Sequence, residues 1–181
     1  SGRQPLAFGY VMAYRNKTYL CFDGDKDIHY FYLMKAWKHN QNDFFMDFNF
    51  YDAHEINYAR DSSKEESIKR QLLQRLNSSN LFVVLVGEQT KFLTKFVRWE
   101  MEQALKQEIP IIAINLNGKR DLDDNRCPVI LKDKLVLHIS FNQKIIEKAM
   151  AEWREISQNL KREAKFGPFS YKPTVYSQLG L

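Results

Sequence analysis

The sequence predicts an α/β fold in which a parallel sheet carries helices on both faces. Two observations point there. Short apolar runs alternate with helical patterns along most of the chain, and one run, Leu81 to Gly87, is apolar almost throughout. Strands that are buried on both faces read as continuous apolar runs, and strands alternating with helices imply crossover connections and parallel pairing.

Length and composition agree. The chain has 181 residues, 44% hydrophobic and 27% charged, which predicts one domain with one core system. No apolar run approaches the ~20 residues that span a bilayer, and the expectation is a cytoplasmic protein with no membrane partner. Ser1-Gly2 before Arg3 reads as a cloning scar, and residues 1–16 as an N-terminal extension. Cys21 and Cys127 lie far apart with no CxxC pair and no histidine at ligand spacing, which predicts two reduced thiols and no metal. The net charge of +5 is concentrated in the tail, where Lys161, Arg162, Lys165 and Lys172 face only Glu163. That distribution argues against nucleic acid as a partner.

The elements follow in order. Lys17 to Phe22 is a strand ending in the polar cluster Asp23–Asp27, and a helix runs from about Ile28 to His39. Phe45 to Tyr51 alternates with period two and is the second strand, followed by a polar loop from Asp52 to Ser63. Ser63 and Glu66 form a capping box for a helix to about Asn77, with Ile68, Leu72 and Leu76 on one side. The apolar strand Asn80–Gly87, a helix from about Thr94 to Gln107 and the strand Pro110–Asn115 come next. Residues 116–133 read as loop with a short helical turn, Lys134–Ser140 as the fifth strand, and about Asn142 to Arg162 as the last helix. Its stripe is Ile145, Ala149, Trp153, Ile156 and Leu160. Right-handed crossovers then favour a flavodoxin-like, doubly wound five-stranded sheet of order 2-1-3-4-5. Residues 163–181 are too rich in Gly, Pro and aromatics to extend the helix, and read as an irregular tail packing back on the domain.

Folds of this kind bind ligands beyond the carboxyl ends of their strands. Here that edge carries Asp23–Asp27, the loop from Asp52 and the Gly87–Thr90 turn. One residue stands out nearby. On a helical wheel with Phe96 at zero, Leu93, Val97, Ala104 and Met101 span about 60° to 140°, and Glu100 falls inside that apolar sector at about 40°. Glu102 falls near 240°, on the far side with Arg98. A carboxylate on a core-facing stripe is costly unless it is paired, neutralised or open to a cleft. Glu102 reads as surface charge. Glu100 reads either as a stripe-edge residue paired with a cation or as a partly desolvated carboxylate suited to chemistry.

Phe96-Val-Arg-Trp-Glu100-Met-Glu-Gln-Ala-Leu105 followed by Ile109-Pro-Ile-Ile-Ala-Ile114 resembles the third helix and following strand of TIR domains. In those, an aromatic, usually Trp, precedes a glutamate by four residues; Phe96 and Glu100 match the pair. The run Leu81–Gly87, the Asp-rich turn after strand 1 and the long loop after strand 2 fit the same plan. Over roughly residues 17–160 the chain is most similar to bacterial TIR-like proteins of the Thoeris anti-phage type. The Trp of this segment stands at position 99, on the outer side of the wheel. Phe22-Asp23 stands where strand 1 of many TIR domains ends in a small or hydroxyl residue followed by an aromatic.

The resemblance implies cleavage of NAD⁺, with Glu100 engaging the ribose next to nicotinamide. NAD⁺ is then a substrate and no cofactor is implied. Phe22, Asp23, Gly24, Asp25, Asp52 and Phe96 are the candidate substrate contacts. Breaking the ribose C1′–N bond passes through an oxocarbenium-like state, which a carboxylate in a semi-dry cleft stabilises. Nicotinamide leaves neutral, so no strong general acid is needed. The resemblance further implies a cyclic ADP-ribose-type messenger for a separate effector, this short chain having no room for an effector domain, and self-association through TIR surfaces. Two other readings stay open: a non-catalytic TIR adaptor, and a glycosyl-transfer enzyme such as a nucleoside deoxyribosyltransferase with Glu100 as nucleophile.

The remaining candidates are weaker. Asp23, Asp25 and Asp27 resemble a phosphate-receiver magnesium cluster, but Val86-Gly87 and Ile139-Ser140 stand where a receiver needs an Asp and a Lys. Capping of the first helix by Asp25 or Asp27 is the plainer account. Asp52, His54 and Glu55 lack a third ligand at metal spacing. His29, His39 and His138 have no visible partners and read as structural. No P-loop or Rossmann fingerprint occurs.

Overall fold

The computed structural model describes residues 17–40 and 62–181, the side chains of 38–40 and 62–64 excepted. The expected strand at 45–51, the N-terminal extension and the loop with Asp52, His54 and Glu55 lie outside the described residues, as does the Ser63 side chain of the predicted capping box.

Strand β1 is Lys17–Cys21, followed by helices α1, Ile28–Asn40, and α2, Ser62–Asn77. Strand β2 is Ser79–Val86, α3 is Val97–Lys106 and β3 is Ile111–Asn115. Strand β4, Val136–Ser140, leads into α4, Gln143–Arg162. The described chain closes with β5, Phe169–Ser170, and α5, Pro173–Gln178.

These strands form one five-stranded sheet in the order β1-β2-β3-β4-β5, every neighbouring pair parallel. The predicted order 2-1-3-4-5 is not what the described residues display. The strands at 17–21, 79–86, 111–115 and 136–140 do lie side by side in chain order. The fifth described strand, however, is Phe169–Ser170 in the tail, joined to the far edge of β4 through Leu137 and His138.

Alternation along β2 sorts the core into two layers. Phe82, Val84 and Val86 face one cluster, which holds Leu72 and Leu76 of α2 and Val97, Met101 and Ala104 of α3. Leu81, Val83 and Leu85 face the other, with Phe31 and Met34 of α1 and Ile145, Ile146, Ala149 and Trp153 of α4. Side chains alternate across a strand, so the two clusters occupy opposite faces of the sheet. Helices thus cover both faces, as the apolar β2 required.

Two local expectations need correction. Helix α3 begins at Val97, not near Thr94, because a 3-10 turn at Thr90–Phe92 and a further turn intervene. The tail is not irregular: it forms β5 and α5, with Tyr171 and Tyr176 buried in the second cluster. Pro173 at the start of α5 supplies the fixed φ of a first helical turn. The backbone turns at Gly167, whose φ of 99° favours glycine. No helix among the described residues is long and apolar enough to cross a membrane.

Candidate active site

Glu100 lies in the first turn of α3, buried at 8% exposure. Its backbone N–H donates to the Phe96 carbonyl at 2.8 Å, which fixes the start of the helix. Helix α3 follows β2, so this first turn sits at the carboxyl edge of the sheet. Its side chain faces β1 across the first core layer. Tyr19 Oη donates to Glu100 Oε1 at 2.7 Å, and Cys21 Sγ donates to Oε2 at 2.9 Å. Cys21 Sγ also lies 3.9 Å from the Val97 carbonyl oxygen. Burial pushes the Glu100 carboxyl above its ordinary range, while the hydrogen bonds from Cys21 and Tyr19 pull it back.

Glu102, two residues on, behaves differently. It sits on the outer side of α3, paired with Arg98 Nε at 3.0 Å, and both side chains are well exposed. The helical wheel therefore separates the two glutamates correctly. Among the described residues Glu100 has no cation as partner; it is held by a phenol and a thiol.

The other candidates are only partly brought together. Phe96 is buried in the same layer as Glu100, one turn earlier, with Lys95 Nζ 5.5 Å from its ring centre. Phe22 lies in the opposite layer, its ring 5.4 Å from that of Phe31, so it backs the turn and does not face Glu100. Asp23 and Gly24 are buried at the end of β1, and Asp25 is exposed. The turn is closed by Asp23, whose Oδ1 accepts from the backbone N–H groups of Asp25 at 3.0 Å and Lys26 at 3.3 Å. These groups belong to the turn ahead of α1, and Asp23 reaches them because it sits at the bend itself. Strand β1 ends at Cys21, one residue before the Phe22-Asp23 pair.

Sequence reasoning missed Tyr19 and Cys21. The available signal was the period of two along β1, which puts both on one face.

A cleft of about 390 Å³ opens at the same edge of the sheet, with Asp27, Tyr30, Gly87, Glu88, Leu116 and Arg126 in its wall. A loop beyond β3 delivers Arg126. The buried Asp123 organises it, accepting from Asn117 Nδ2 at 2.7 Å and from the backbone N–H groups of Asn125 and Arg126 at 2.9 and 3.1 Å. Arg126 then reaches Glu88 at 3.2 Å. Asp27 packs over Gly87: a Cβ there would come within 2.9 Å of Asp27 Cγ and overlap its carboxylate. The turn at Gly87 is tied by Thr90, whose Oγ1 accepts from the Gly87 N–H and donates to the Leu85 carbonyl.

Asp27 Oδ2 is buried without a hydrogen-bond partner among the described residues, and its carboxyl is pushed up to about 6, first by burial and then by the nearby Asp23. The unfolded value is about 3.9. A carboxyl raised on folding favours the folded state while protonated, so its stabilisation is complete below about pH 4 and is lost as pH rises to about 6. Asp27→Asn should therefore stabilise the fold at pH 7 by on the order of 1–2 kcal/mol given the open cleft beside the group, read as a higher urea midpoint. The gain over wild type should vanish below about pH 4. An unchanged midpoint at pH 7 would contradict this.

Both cysteines are free and buried. His138 is fully buried in β4 and its pKa is lowered to about 4 by burial, so it is neutral at pH 7. No group of three or more His, Cys, Asp or Glu among the described residues is arranged to hold a metal ion.

A parallel sheet covered by helices on both faces, with a buried glutamate in the first turn of the helix after β2, fits the class of TIR-like domains. A family model described as Thoeris protein ThsB, TIR-like domain, matches residues 19–121, and the chain belongs to that family. The match takes in β1 from Tyr19 on, the turn with Asp23 and Asp27, all of α3 with Glu100, and β3. No curated protein matches the chain.

Proposed function

We propose that the chain is a TIR-like enzyme that cleaves NAD⁺ between nicotinamide and ribose, with Glu100 as the essential carboxylate. The observation that carries this is Glu100 itself: a carboxylate buried in the first turn of α3, with a donor on each oxygen and no cation paired with it among the described residues. Burying a charge without a counter-ion is costly, and such groups cluster at sites of chemistry.

In the proposed reaction the C1′–N bond breaks and its electron pair leaves with nicotinamide, which becomes neutral. The ribose is left as an oxocarbenium ion, and the Glu100 carboxylate stabilises that positive charge in a low-dielectric setting. Water can capture the cation, losing a proton and giving ADP-ribose. Capture by an adenine nitrogen of the same molecule gives a cyclic ADP-ribose-type product. The family favours the second outcome, with the product acting as a signal to a separate effector in defence against phage. Asp23, Gly24 and Asp25 at the end of β1 are proposed to meet the substrate from the carboxyl edge, and Phe96 to wall the ribose side. Asp52 is a further proposed contact from outside the described residues.

Incubation of the purified chain with NAD⁺, and separately with a pair of deoxynucleosides, tests this reading. Release of nicotinamide without base exchange is the expected result. Base exchange between deoxynucleosides would favour a glycosyl-transfer enzyme, and self-association without any turnover would favour an adaptor.

A further inference from the structure

We infer that Tyr19 and Cys21 are positioning residues for Glu100: each donates a hydrogen bond to one carboxylate oxygen, and together they favour the ionised form and fix its orientation beside the end of β1. This rests on the proposed role of Glu100 and deepens it.

The geometry carries the inference. Tyr19 and Cys21 are two apart on β1, hence on one face and roughly 7 Å apart along the strand. Glu100 projects from α3 between them, and the distances of 2.7 Å and 2.9 Å place one donor on each oxygen. Both donors are buried, at 6% and 1% exposure. An ionised carboxylate only accepts hydrogen bonds, whereas a protonated one must also donate. Two protons already aimed at the two oxygens therefore match the ionised form. Protonating Glu100 would add a third proton to these two contacts, so that one of the three would have to turn away or lose its partner.

The neighbouring groups leave this arrangement in place. Burial raises the Tyr19 and Cys21 pKa values well above the ordinary ones, so both keep their protons at neutral pH. Arg75 of α2 acts on Tyr19 from the adjacent helix. On α3 itself, Arg98 and Glu102 pair with each other on the outer side. Cys127, from the loop packed on the same layer, is pushed up to about 11 by burial and is neutral.

The consequence is specific. Removing either donor should leave the fold intact but make the carboxylate harder to ionise. Loss of a hydrogen bond to a charged group corresponds to about a tenfold change in ionisation, or roughly one pH unit. The acid limb of the rate profile should move to higher pH by that amount.

The test uses the full chain labelled with ¹³C at glutamate carboxyls, with the Glu100 signal assigned by its loss in Glu100→Gln. Its titration is followed in wild type, Tyr19→Phe, Cys21→Ala and Cys21→Ser, beside nicotinamide release against pH. Tyr19→Phe and Cys21→Ala should each shift the Glu100 titration upward by about one pH unit, and Cys21→Ser, which keeps a donor, should return it toward wild type. Tyr19→Phe preserves ring volume, so the test stands even where Cys21→Ala fails to fold. An unmoved titration in Tyr19→Phe, or a Cys21→Ser that matches Cys21→Ala, overturns the inference whatever the activity. A titration that moves in a chain releasing no nicotinamide overturns the NAD⁺ reading and leaves the assignment of the two donors standing.

Discussion

Replacing Glu100 with glutamine is expected to lower nicotinamide release from NAD⁺ by about 10²–10³-fold, the range seen when one preorganised electrostatic group is removed from a transition state. Glutamine keeps the shape and a carbonyl acceptor but cannot carry the negative charge that opposes the oxocarbenium ion. The effect should fall on kcat rather than KM, because the charge it answers develops only in the transition state. The fold should survive, since Tyr19 or Cys21 can still donate to the amide oxygen. Glu102→Gln is the matched control. Its carboxylate is exposed and paired with Arg98 across one helical turn, an interaction of about 0.3–0.5 kcal/mol. Its steady-state rate should stay within about twofold of wild type, since loss of a pair this weak and remote has little to act through.

The largest effect on stability is expected at Trp153. Its side chain is fully buried on α4 against the sheet, and its ring centre lies 5.5 Å from that of Phe169 at the start of β5. Trp153→Ala removes the biggest fully buried side chain of the second layer and should cost about 3–5 kcal/mol. For a domain of ordinary stability, about 5–15 kcal/mol, that is a large share. The cost should appear as a lower urea midpoint without a change of slope. Because Trp153 joins α4 to the tail, the same change should expose the backbone of Phe169–Ser170 to hydrogen exchange before β2 or β3 opens. A midpoint within about 1 kcal/mol of wild type would mean that the site collapses around the smaller side chain.

Much of this was legible because it depended on local pattern. The unbroken apolar run of β2 announced burial on both faces, and the wheel placed Glu100 inward and Glu102 outward without any tertiary information. The stripe on α4 was read from spacing alone, and Ile145, Ala149 and Trp153 are all fully buried. What was not legible depends on how elements dock. Tyr19 and Cys21 meet Glu100 across 81 and 79 residues of sequence. Their shared face was readable, but that α3 covers it follows only from the packing of the crossover. Asp27 is buried and Asp25 exposed, although both sit in one polar cluster; the missing side chain of Gly87 makes room for the Asp27 carboxylate. Strand β5 is two residues long, too short to show any period, and it exists because the sheet offers an edge beside Leu137 and His138. A Gly- and Pro-rich composition argued for irregular structure there, while Pro173 and Gly167 were in fact the turn and helix-start residues of a docked tail.

The central claim is that a glutamate held by a phenol and a thiol serves NAD⁺ cleavage. The most direct measurement is chromatographic analysis of NAD⁺ after incubation at pH 7 with equal amounts of wild-type chain and Glu100→Gln. Free nicotinamide should accumulate with the wild type, matched mole for mole by ADP-ribose or a cyclic ADP-ribose-type product, and about 10²–10³-fold more slowly with the variant. Nicotinamide appearing at the same rate with both proteins, or intact NAD⁺ with the wild type, would contradict it.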